Sequence, residues 1–324
     1  MEAVIGVTYR CNARCHMCNT WQTTSDKQEL TPQEYAKLPP LKMVNITGGE
    51  PFLRNDLAEI VDILKPKTGR IIISTNGFMT DRIVALTEKY PNIGIRVSLE
   101  GFSATNDELR GIKHGFDKGL KTIVELKHRG MKDIGFGITV SDKNVRDMMD
   151  LYKLACAMGL EFSTAIVHNT YYFHKDNNVI TSKKEIVDEL EKLKTEFFRT
   201  NRPKNWLRAY FIDGMITYFI NDAPRPLPCL AGTETFYLDP FGDLYPCNAM
   251  NSIMGNIREQ SFDEIWQSKR AQSVRKCVHN CKEKCWMICT VAPSIKKEIT
   301  VPVKWVAKNI LKYKFGGRKT SDIS

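Results

Sequence analysis

Nine of the ten cysteines in this 324-residue chain fall into two groups. The first is the run Cys11-Asn12-Ala13-Arg14-Cys15-His16-Met17-Cys18. Three thiols this close can converge on one metal centre, and thiolates select iron–sulfur clusters, zinc or copper(I). Spacers of three and then two residues supply three ligands, whereas a structural zinc site takes four. A 4Fe–4S cluster held by three thiolates keeps one iron open, and the chemistry is expected there. The alternatives are a zinc knuckle or cysteines together by coincidence. The second group is Cys229, Cys247, Cys277, Cys281, Cys285 and Cys289. Its last four members are each separated by three residues, so a helix would line them along one face. The tenth, Cys156, sits in a helical pattern with Leu151, Leu154, Ala155 and Met158, and reads as an inert buried residue.

The elements that must position these residues are legible as an alternation. An apolar strand, 3–7, runs into the first cysteine loop. A second, 43–47, ends in Gly48-Gly49-Glu50-Pro51, where two glycines let the backbone approach a ligand closely and the glutamate adds an acceptor. Strands then follow at 70–75, 93–99, 134–140 and 161–167, separated by helical patterns at 56–64, 81–90, 116–129 and 145–158. Continuous apolar strands between amphipathic helices imply a parallel sheet. The expectation is an α/β fold, a partial (β/α)6 TIM-like barrel. In such barrels the C-terminal ends of the strands carry the site, and the cysteine loop, Glu50, Asn76, Glu100 and His168 all fall there. The aromatic stretch from His168 to His174 is expected at the barrel mouth, shaping a substrate pocket or packing on the next helix. Residues 181–199 read as a charged, solvated helix, and 206–220 as a more apolar one.

Together these motifs resemble the radical S-adenosylmethionine (SAM) superfamily. The resemblance rests on the C-x3-C-x2-C loop after the first strand, on G-G-E-P about thirty residues later, and on Val97-Ser98-Leu99-Glu100-Gly101 followed by Asn106-Asp107-Glu108-Leu109-Arg110-Gly111. The run Gly135-Phe136-Gly137-Ile138 is similar to the family's glycine-rich adenine contact. The resemblance implies a catalytic 4Fe–4S cluster on Cys11, Cys15 and Cys18 whose open iron binds the amino and carboxylate groups of SAM. It places Met17 near the adenine, where the family usually has an aromatic residue. It places Gly48, Gly49 and Glu50 at the SAM amino group, Ser98 and Glu100 at the ribose with Glu100 replacing the commoner aspartate, Asn76 among the cofactor-binding residues, and Arg110 at the carboxylate. The competing reading of Asp107 and Arg110 is a surface pair of little energetic weight.

The stretch from Cys229 to Cys289 resembles the SPASM and twitch extensions found behind such barrels, because Cys229-x12-Gly242-x4-Cys247 matches their opening. The four later cysteines depart from the usual spacing. The resemblance implies one or two auxiliary 4Fe–4S clusters, one of them including Cys229 and Cys247, with the partners among Cys277, Cys281, Cys285 and Cys289 open. A zinc ribbon is the alternative. The proline-rich Ala223-Pro224-Arg225-Pro226-Leu227-Pro228 marks a boundary. The expected organisation is a core barrel with following helices over 1–222, a small cysteine-rich auxiliary-cluster domain over 223–292, and a basic amphipathic tail over 293–324.

Composition is that of an ordinary globular chain, 42% hydrophobic and 26% charged. The net charge of +10 is concentrated in the tail, where residues 296–319 hold eight Lys or Arg and one Glu, leaving +3 for the rest. That distribution excludes a nucleic-acid face across the protein. Residues 301–315 follow helical spacing, with Val303, Val306, Ala307, Ile310, Leu311 and Phe315 on one face and Lys304, Lys308, Lys312 and Lys314 elsewhere. Such a helix either lies on an anionic membrane surface or docks on the barrel with its basic side in water. No signal-peptide pattern and no spanning segment is evident, so a cytoplasmic protein is expected, peripheral to the inner membrane face if the tail is a surface helix.

The functional expectation is an enzyme that cleaves SAM to a 5′-deoxyadenosyl radical and abstracts a substrate hydrogen. The outcome would be oxidation, epimerisation or another modification of a sugar or lipid-linked substrate. The electron donor would be a flavodoxin or ferredoxin. A peptide substrate is the alternative, disfavoured because no separate peptide-binding domain precedes the barrel. A non-catalytic Fe–S electron carrier or zinc scaffold is the alternative of another class, and neither has a use for a SAM pocket.

Overall fold

The computed structural model describes residues 1–23 and 25–315, so the last part of the basic tail, 316–324, lies outside the described residues. Six parallel strands form the body: β1 (Glu2–Gly6), β2 (Met43–Thr47), β3 (Ile71–Thr75), β4 (Gly94–Ser98), β5 (Ile134–Val140) and β6 (Glu161–Ile166). They are ordered as in the sequence, and β6 is not a neighbour of β1, so the barrel is open along that side. The connecting helices are α1 (Leu57–Leu64), α2 (Thr80–Lys89), α3 (Ser103–Arg110), α4 (Gly115–His128) and α5 (Met148–Ala157), followed by α6 (Lys183–Arg199) and α7 (Pro203–Gly214).

The strands alternate more than their apolar runs suggest. Val44, Ile46, Ile71, Ile73, Ile95 and Val97 are buried in one core with Ile60, Leu64, Ile83 and Ile123 of the helices. Their alternates Asn45, Ile72, Ser74, Arg96 and Ser98 face the barrel interior, a cavity of about 460 Å³. Side chains at successive strand positions point to opposite faces, so one face of each strand builds the core and the other lines a space. Across the open side, Leu207, Phe211 and Ile212 of α7 and Ala292 and Ile295 of a later helix close the wall of this cavity.

Around Pro240-Phe241-Gly242 the chain turns back on itself as a hairpin of β7 (Thr235–Leu238) and β8 (Asp243–Tyr245), with a short β9 (Gly255–Asn256) beyond. Asp239 closes the turn, its Oδ1 accepting from the backbone N–H groups of Phe241 at 2.9 Å and Asp243 at 2.8 Å. Gly242 takes φ +93°, a left-handed conformation that glycine adopts without strain. The hairpin does not stand in a sheet of its own. Strand β7 pairs in parallel with β1, in the register Glu2 with Thr235 to Ile5 with Leu238, and so extends the barrel sheet past its first strand.

Helices α8 (Phe262–Gln267), α9 (Lys269–His279), α10 (Ile288–Lys297) and α11 (Thr300–Phe315) complete the chain. The single-helix arrangement of the last four cysteines is not what forms. Cys277 is on α9, Cys281 and Cys285 lie in the irregular segment after it, and Cys289 is in the first turn of α10. Helix α11 also lies differently from its expected phase. It docks through Trp305, Val306, Ile310 and Tyr313, with Tyr313 stacked on Phe198 at 4.9 Å between ring centroids and Trp305 edge-on to Tyr210. Val303 and Leu311, expected on the apolar face, are 52% and 66% exposed. Val306 and Ile310 of the expected face do dock, and the rings of Trp305 and Tyr313 take the burial that Val303 and Leu311 forgo.

Candidate active site and auxiliary cysteine group

The first cysteine loop is held from two sides by backbone. After β1 the chain passes Thr8 and Arg10, whose carbonyls accept from the N–H groups of Gly49 at 2.6 Å and Glu50 at 2.8 Å. Gly48 and Gly49 make this approach possible. A Cβ on Gly48, at φ +144°, would stand 2.3 Å from the Thr8 carbonyl oxygen, and one on Gly49 2.2 Å from that of Arg10. The backbone that these glycines admit is therefore the chain's own entry into the cysteine loop. The loop's other flank rests on the end of α3, where Arg14 N–H donates to the Arg110 carbonyl at 2.9 Å and His16 N–H to Leu109 at 2.8 Å. Gly111, in the left-handed region at φ 57°, leaves room for Arg14 there. Met17 fills an apolar gap between Leu109 and Val167.

Three ionisable side chains meet behind this loop. Glu50 is 1% exposed, and its carboxylate accepts from Thr75 Oγ1 at 2.8 Å and the N–H groups of Phe52 at 3.1 Å and Asn76 at 2.7 Å. Its oxygens are thus largely committed to tying β2 to β3. Asn76 in turn donates through Nδ2 to Asn12 Oδ1 at 2.6 Å, linking the end of β3 to the cysteine loop. Glu100 is 2% exposed and accepts from Arg110 Nη1 at 3.0 Å and Thr139 N–H at 2.7 Å. Burial pushes both carboxyls above their ordinary range, and Arg110 is the chief influence drawing Glu100 back down. Arg110 is buried, pairs with Glu100 rather than with Asp107, and also feels Cys15, Cys11 and Glu50. Asp107 serves elsewhere, accepting from Phe116 N–H at the start of α4. Ser98 faces the cavity. Asn106, which sequence reasoning left unassigned, accepts from Glu100 N–H at 2.9 Å through its side chain and fixes the turn that presents Glu100.

These residues fit the expected groups. Burial pushes the Cys11 thiol up to about 12 and raises Cys15 as well, so both are protonated until a cation displaces the protons. The Nε of Arg110 is buried without a partner among the described residues, a donor waiting for an acceptor.

The second group draws together more closely than its sequence spread implies. Cys229, Cys247, Cys285 and Cys289 pack in one cluster with Ala231, Ala249 and Met287, and Cys281 interacts with Cys229 and Cys285. Burial raises Cys247 and pushes Cys285 up to about 11 and Cys289 up to about 12. Cys277 is exposed on α9, apart from these contacts. Cys289 also lines the barrel cavity. Among the described residues no three Cys, His, Asp or Glu side chains are grouped for a single metal ion. A cubane carries each thiolate on a different iron, so its ligands are not drawn around one ion.

The stretch 168–174 joins the two groups. Thr20, hydrogen-bonded to Cys18, donates to the Tyr172 carbonyl at 3.0 Å, and Asn19 N–H donates to Phe173 at 2.8 Å. On the far side Tyr172 N–H donates to the carbonyl of Asn248, the residue after Cys247, at 3.1 Å. The Tyr172 hydroxyl meanwhile donates to the Gly48 carbonyl at 2.5 Å and accepts from Gly48 N–H at 3.1 Å. His168, expected at the pocket, is buried with Nδ1 against the Ile166 carbonyl at 2.6 Å, and burial lowers its pKa.

Comparison with known proteins agrees with this architecture. Residues 5–155 match the model of the radical SAM superfamily, and residues 229–290 match that of the SPASM iron-sulfur cluster-binding domain. The chain is 30% identical to the pre-heme d1 synthase of Dinoroseobacter shibae, over 80% of this chain and 71% of that protein. It is 34% identical to the Fe-coproporphyrin III synthase of Methanosarcina barkeri over 47% of this chain and 40% of the relative. It is 24% identical to AlbA, the antilisterial bacteriocin subtilosin biosynthesis protein of Bacillus subtilis, over 88% and 65%. The chain thus spans less than two thirds of the length of the last two. The fold is also that of anSMEcpe, solved with bound AdoMet and a Cp18Cys peptide, at a TM-score of 0.65 and 14% identity over 95% of this chain and 99% of that one. The chain belongs to the radical SAM superfamily, whose members are enzymes, and carries a SPASM domain behind the barrel. The cofactors of such a protein are a 4Fe–4S cluster, SAM and auxiliary iron–sulfur centres.

Proposed function

We propose that this chain abstracts a hydrogen atom from a substrate held at the mouth of the barrel, between the two cysteine groups. The observation that carries the reading is the convergence of Cys11, Cys15 and Cys18 with Glu50, Glu100 and the half-satisfied Arg110 at the C-terminal ends of parallel strands. When bound, the cluster and SAM supply a 5′-deoxyadenosyl radical. Cys11, Cys15 and Cys18 hold the cluster in this reading. Arg110 Nε is placed to receive the SAM carboxylate, with its Nη1 already fixed on Glu100. Gly48 and Gly49 shape the turn that faces the SAM amino group, and Glu50 acts by orienting that turn, since its oxygens are taken. Ser98 and Glu100 lie toward the ribose, and Met17 toward the adenine. Cys229, Cys247, Cys285 and Cys289, with Cys281 beside them, hold the auxiliary cluster, and Tyr172 and Phe173 tie the two cysteine groups together through hydrogen bonds of their backbone groups.

The substrate reading is a sugar or lipid-linked compound. The cavity supports it, because its lining sets hydrogen-bonding groups (Asn45, Ser74, Ser98 and Ser163) and charged ones, Arg96 and Arg208 among them, beside apolar side chains such as Ile72 and Phe211, a mixture suited to a polar small molecule. The outward face of α11 supports a membrane-surface substrate. Lys304 and Lys308 make no ion pair among the described residues, and they flank exposed Val303 and Leu311. No helix of the described residues is long and apolar enough to cross a membrane. A peptide substrate is the second reading, favoured by the similarity to a bacteriocin biosynthesis protein.

The test is anaerobic reconstitution with iron and sulfide, addition of dithionite and SAM, and assay of 5′-deoxyadenosine beside Cys15→Ala. The nucleoside is expected only with intact Cys15, and its absence from a loaded, reduced protein refutes the reading. Flotation with anionic vesicles, and mass analysis of candidate peptides after co-expression, separate the two substrates.

A further inference from the structure

One cation is pressed against the auxiliary cysteine group. Arg225 sits between two prolines in the segment leading to Cys229. Its guanidinium lies 5.4 Å from the ring centroid of Tyr218 and 5.3 Å from that of Trp286. Trp286 is itself fixed, donating through Nε1 to the Phe211 carbonyl at 2.8 Å and lying so close to Gly214 that a Cβ there would come within 2.2 Å of the ring. Arg225 Nε donates to the Leu227 carbonyl at 3.1 Å, and Nη1 to the carbonyl of Cys285 at 2.7 Å. Two rings and two directed bonds leave the guanidinium no other orientation. Its Nη2 is buried with no oxygen or nitrogen partner among the described residues. Of the ionisable groups acting on it, Cys229 and Cys285 act most strongly, and the guanidinium also stands within reach of the Cys285 thiol and the Tyr218 hydroxyl.

A buried donor without a partner costs about 1–3 kcal/mol, so a position this rigidly built implies an acceptor. The sulfur atoms of an iron–sulfur cluster are such acceptors, and hydrogen bonds to them together with local charge set the reduction potential. Lys284, the neighbour of Cys285 in the chain, is engaged instead with Asp222.

We infer that Arg225 is a positioning residue for the auxiliary cluster, donating through Nη2 to a sulfur of the cluster on Cys229 and Cys285 and raising its reduction potential. The inference rests on the auxiliary-cluster reading given above. One-electron reduction adds negative charge beside a fixed cation in a water-poor site, so the cation favours the reduced form. No proton need move. Arginine suits the place because it stays charged on burial and its planar fork stacks on rings.

The experiment is an anaerobic redox titration of the reconstituted 324-residue chain, followed by electron paramagnetic resonance, for the unaltered chain, Arg225→Gln and Arg225→Lys. Arg225→Gln, at full iron content, is expected to make reduction of the auxiliary cluster at least tenfold less favourable, about 59 mV more negative for one electron. Its signal should change shape while that of the catalytic cluster stays put. Arg225→Lys, which keeps the charge and loses the fork, should fall between the two. An unmoved auxiliary potential in fully loaded Arg225→Gln overturns the inference and leaves the cluster assignment intact. If Arg225→Gln takes up no auxiliary cluster, Arg225→Lys decides. A loaded Lys variant with a potential near that of the unaltered chain supports the role of charge, and loss of the cluster in both variants reduces Arg225 to packing and overturns it. Absence of any auxiliary signal in the unaltered protein refutes the cluster reading and the inference with it.

Discussion

The Glu100–Arg110 pair gives the sharpest test of how the site is built. Both side chains are buried, and Arg110 Nη1 reaches Glu100 Oε1 at 3.0 Å. Arg110→Met keeps the length of the side chain and strands a buried carboxylate. Removing one partner of a buried pair costs about 3–5 kcal/mol. The variant can escape part of this cost by protonating Glu100, since Arg110 is the strongest influence opposing the upward push of burial. The sign follows from linkage. Below about pH 4.3, the ordinary glutamate value, folded and unfolded chains are both protonated and the charge penalty is absent. Above it the unfolded chain ionises while folded Glu100 holds its proton, so stability falls by about 1.4 kcal/mol per pH unit until the raised folded value is passed. Glu100 is raised in the unaltered chain too, so Arg110→Met should lose stability relative to it only above the pH at which that chain's folded Glu100 ionises, a value burial lifts above the ordinary one. Glu100→Gln removes the titrating group, so Arg110→Met with Glu100→Gln should be flatter in pH and recover about 2 kcal/mol of the single-variant losses, within the range for groups in contact. Urea denaturation of the reduced, iron-free chain at several pH values reads all of this. If the two single costs simply add at neutral pH, Glu100 and Arg110 are not energetically coupled and the contact does not tie the end of β4 to α3.

Other expectations follow from the same contacts. Gly49→Ala places a methyl 2.2 Å from the Arg10 carbonyl oxygen, so it should cost about 1–3 kcal/mol and lower the iron bound per chain at the catalytic site more than at the auxiliary one. Gly214→Ala drives into the Trp286 ring. It should cost a similar amount, about 1–3 kcal/mol, shift tryptophan fluorescence, and deplete auxiliary iron first. Tyr172→Phe leaves Gly48 N–H without its acceptor. That should cost about 1–3 kcal/mol and weaken SAM binding measured by equilibrium dialysis, with cluster content unchanged. Because burial holds the Cys11 and Cys289 thiols up near 12 and Cys285 near 11, cluster assembly must release protons and strengthen with rising pH. A weakly buffered reconstitution monitored with a pH indicator should acidify by more than the same iron and sulfide mixed without protein, and an equal change would show that the thiols are already ionised.

Much of the fold was legible because its signals are short. Strand, helix and turn each declare themselves within a few residues, through apolar period and through glycine or proline at the ends. The six-fold alternation needed nothing more. The C-x3-C-x2-C loop and the G-G-E-P turn are equally local, and both lie where a parallel barrel carries its chemistry. What they could not reveal was the partner of each group. Glycines 48 and 49 looked like room for a ligand, yet the nearest atoms are carbonyls of the chain's own entry to the cysteine loop. The alternation of Asn45, Ser74 and Ser98 into a cavity was hidden because the neighbouring β-branched residues dominate the pattern.

By itself the sequence determined the class of chemistry, since thiol number and spacing decide which metal centres can form before any packing is known. It also determined the order of the strands, because short crossovers in one hand leave little choice. Only the tertiary structure decided that β7 joins the edge of β1, that Arg110 turns to Glu100 instead of Asp107, and that Cys229, Cys247, Cys285 and Cys289 meet while Cys277 stays in solvent. The same holds for Arg225, which in the sequence is only a cation between two prolines. These are contacts between residues tens to hundreds of positions apart. They depend on register, helix rotation and the competition of large rings for burial, and no short window of sequence contains the terms of that competition.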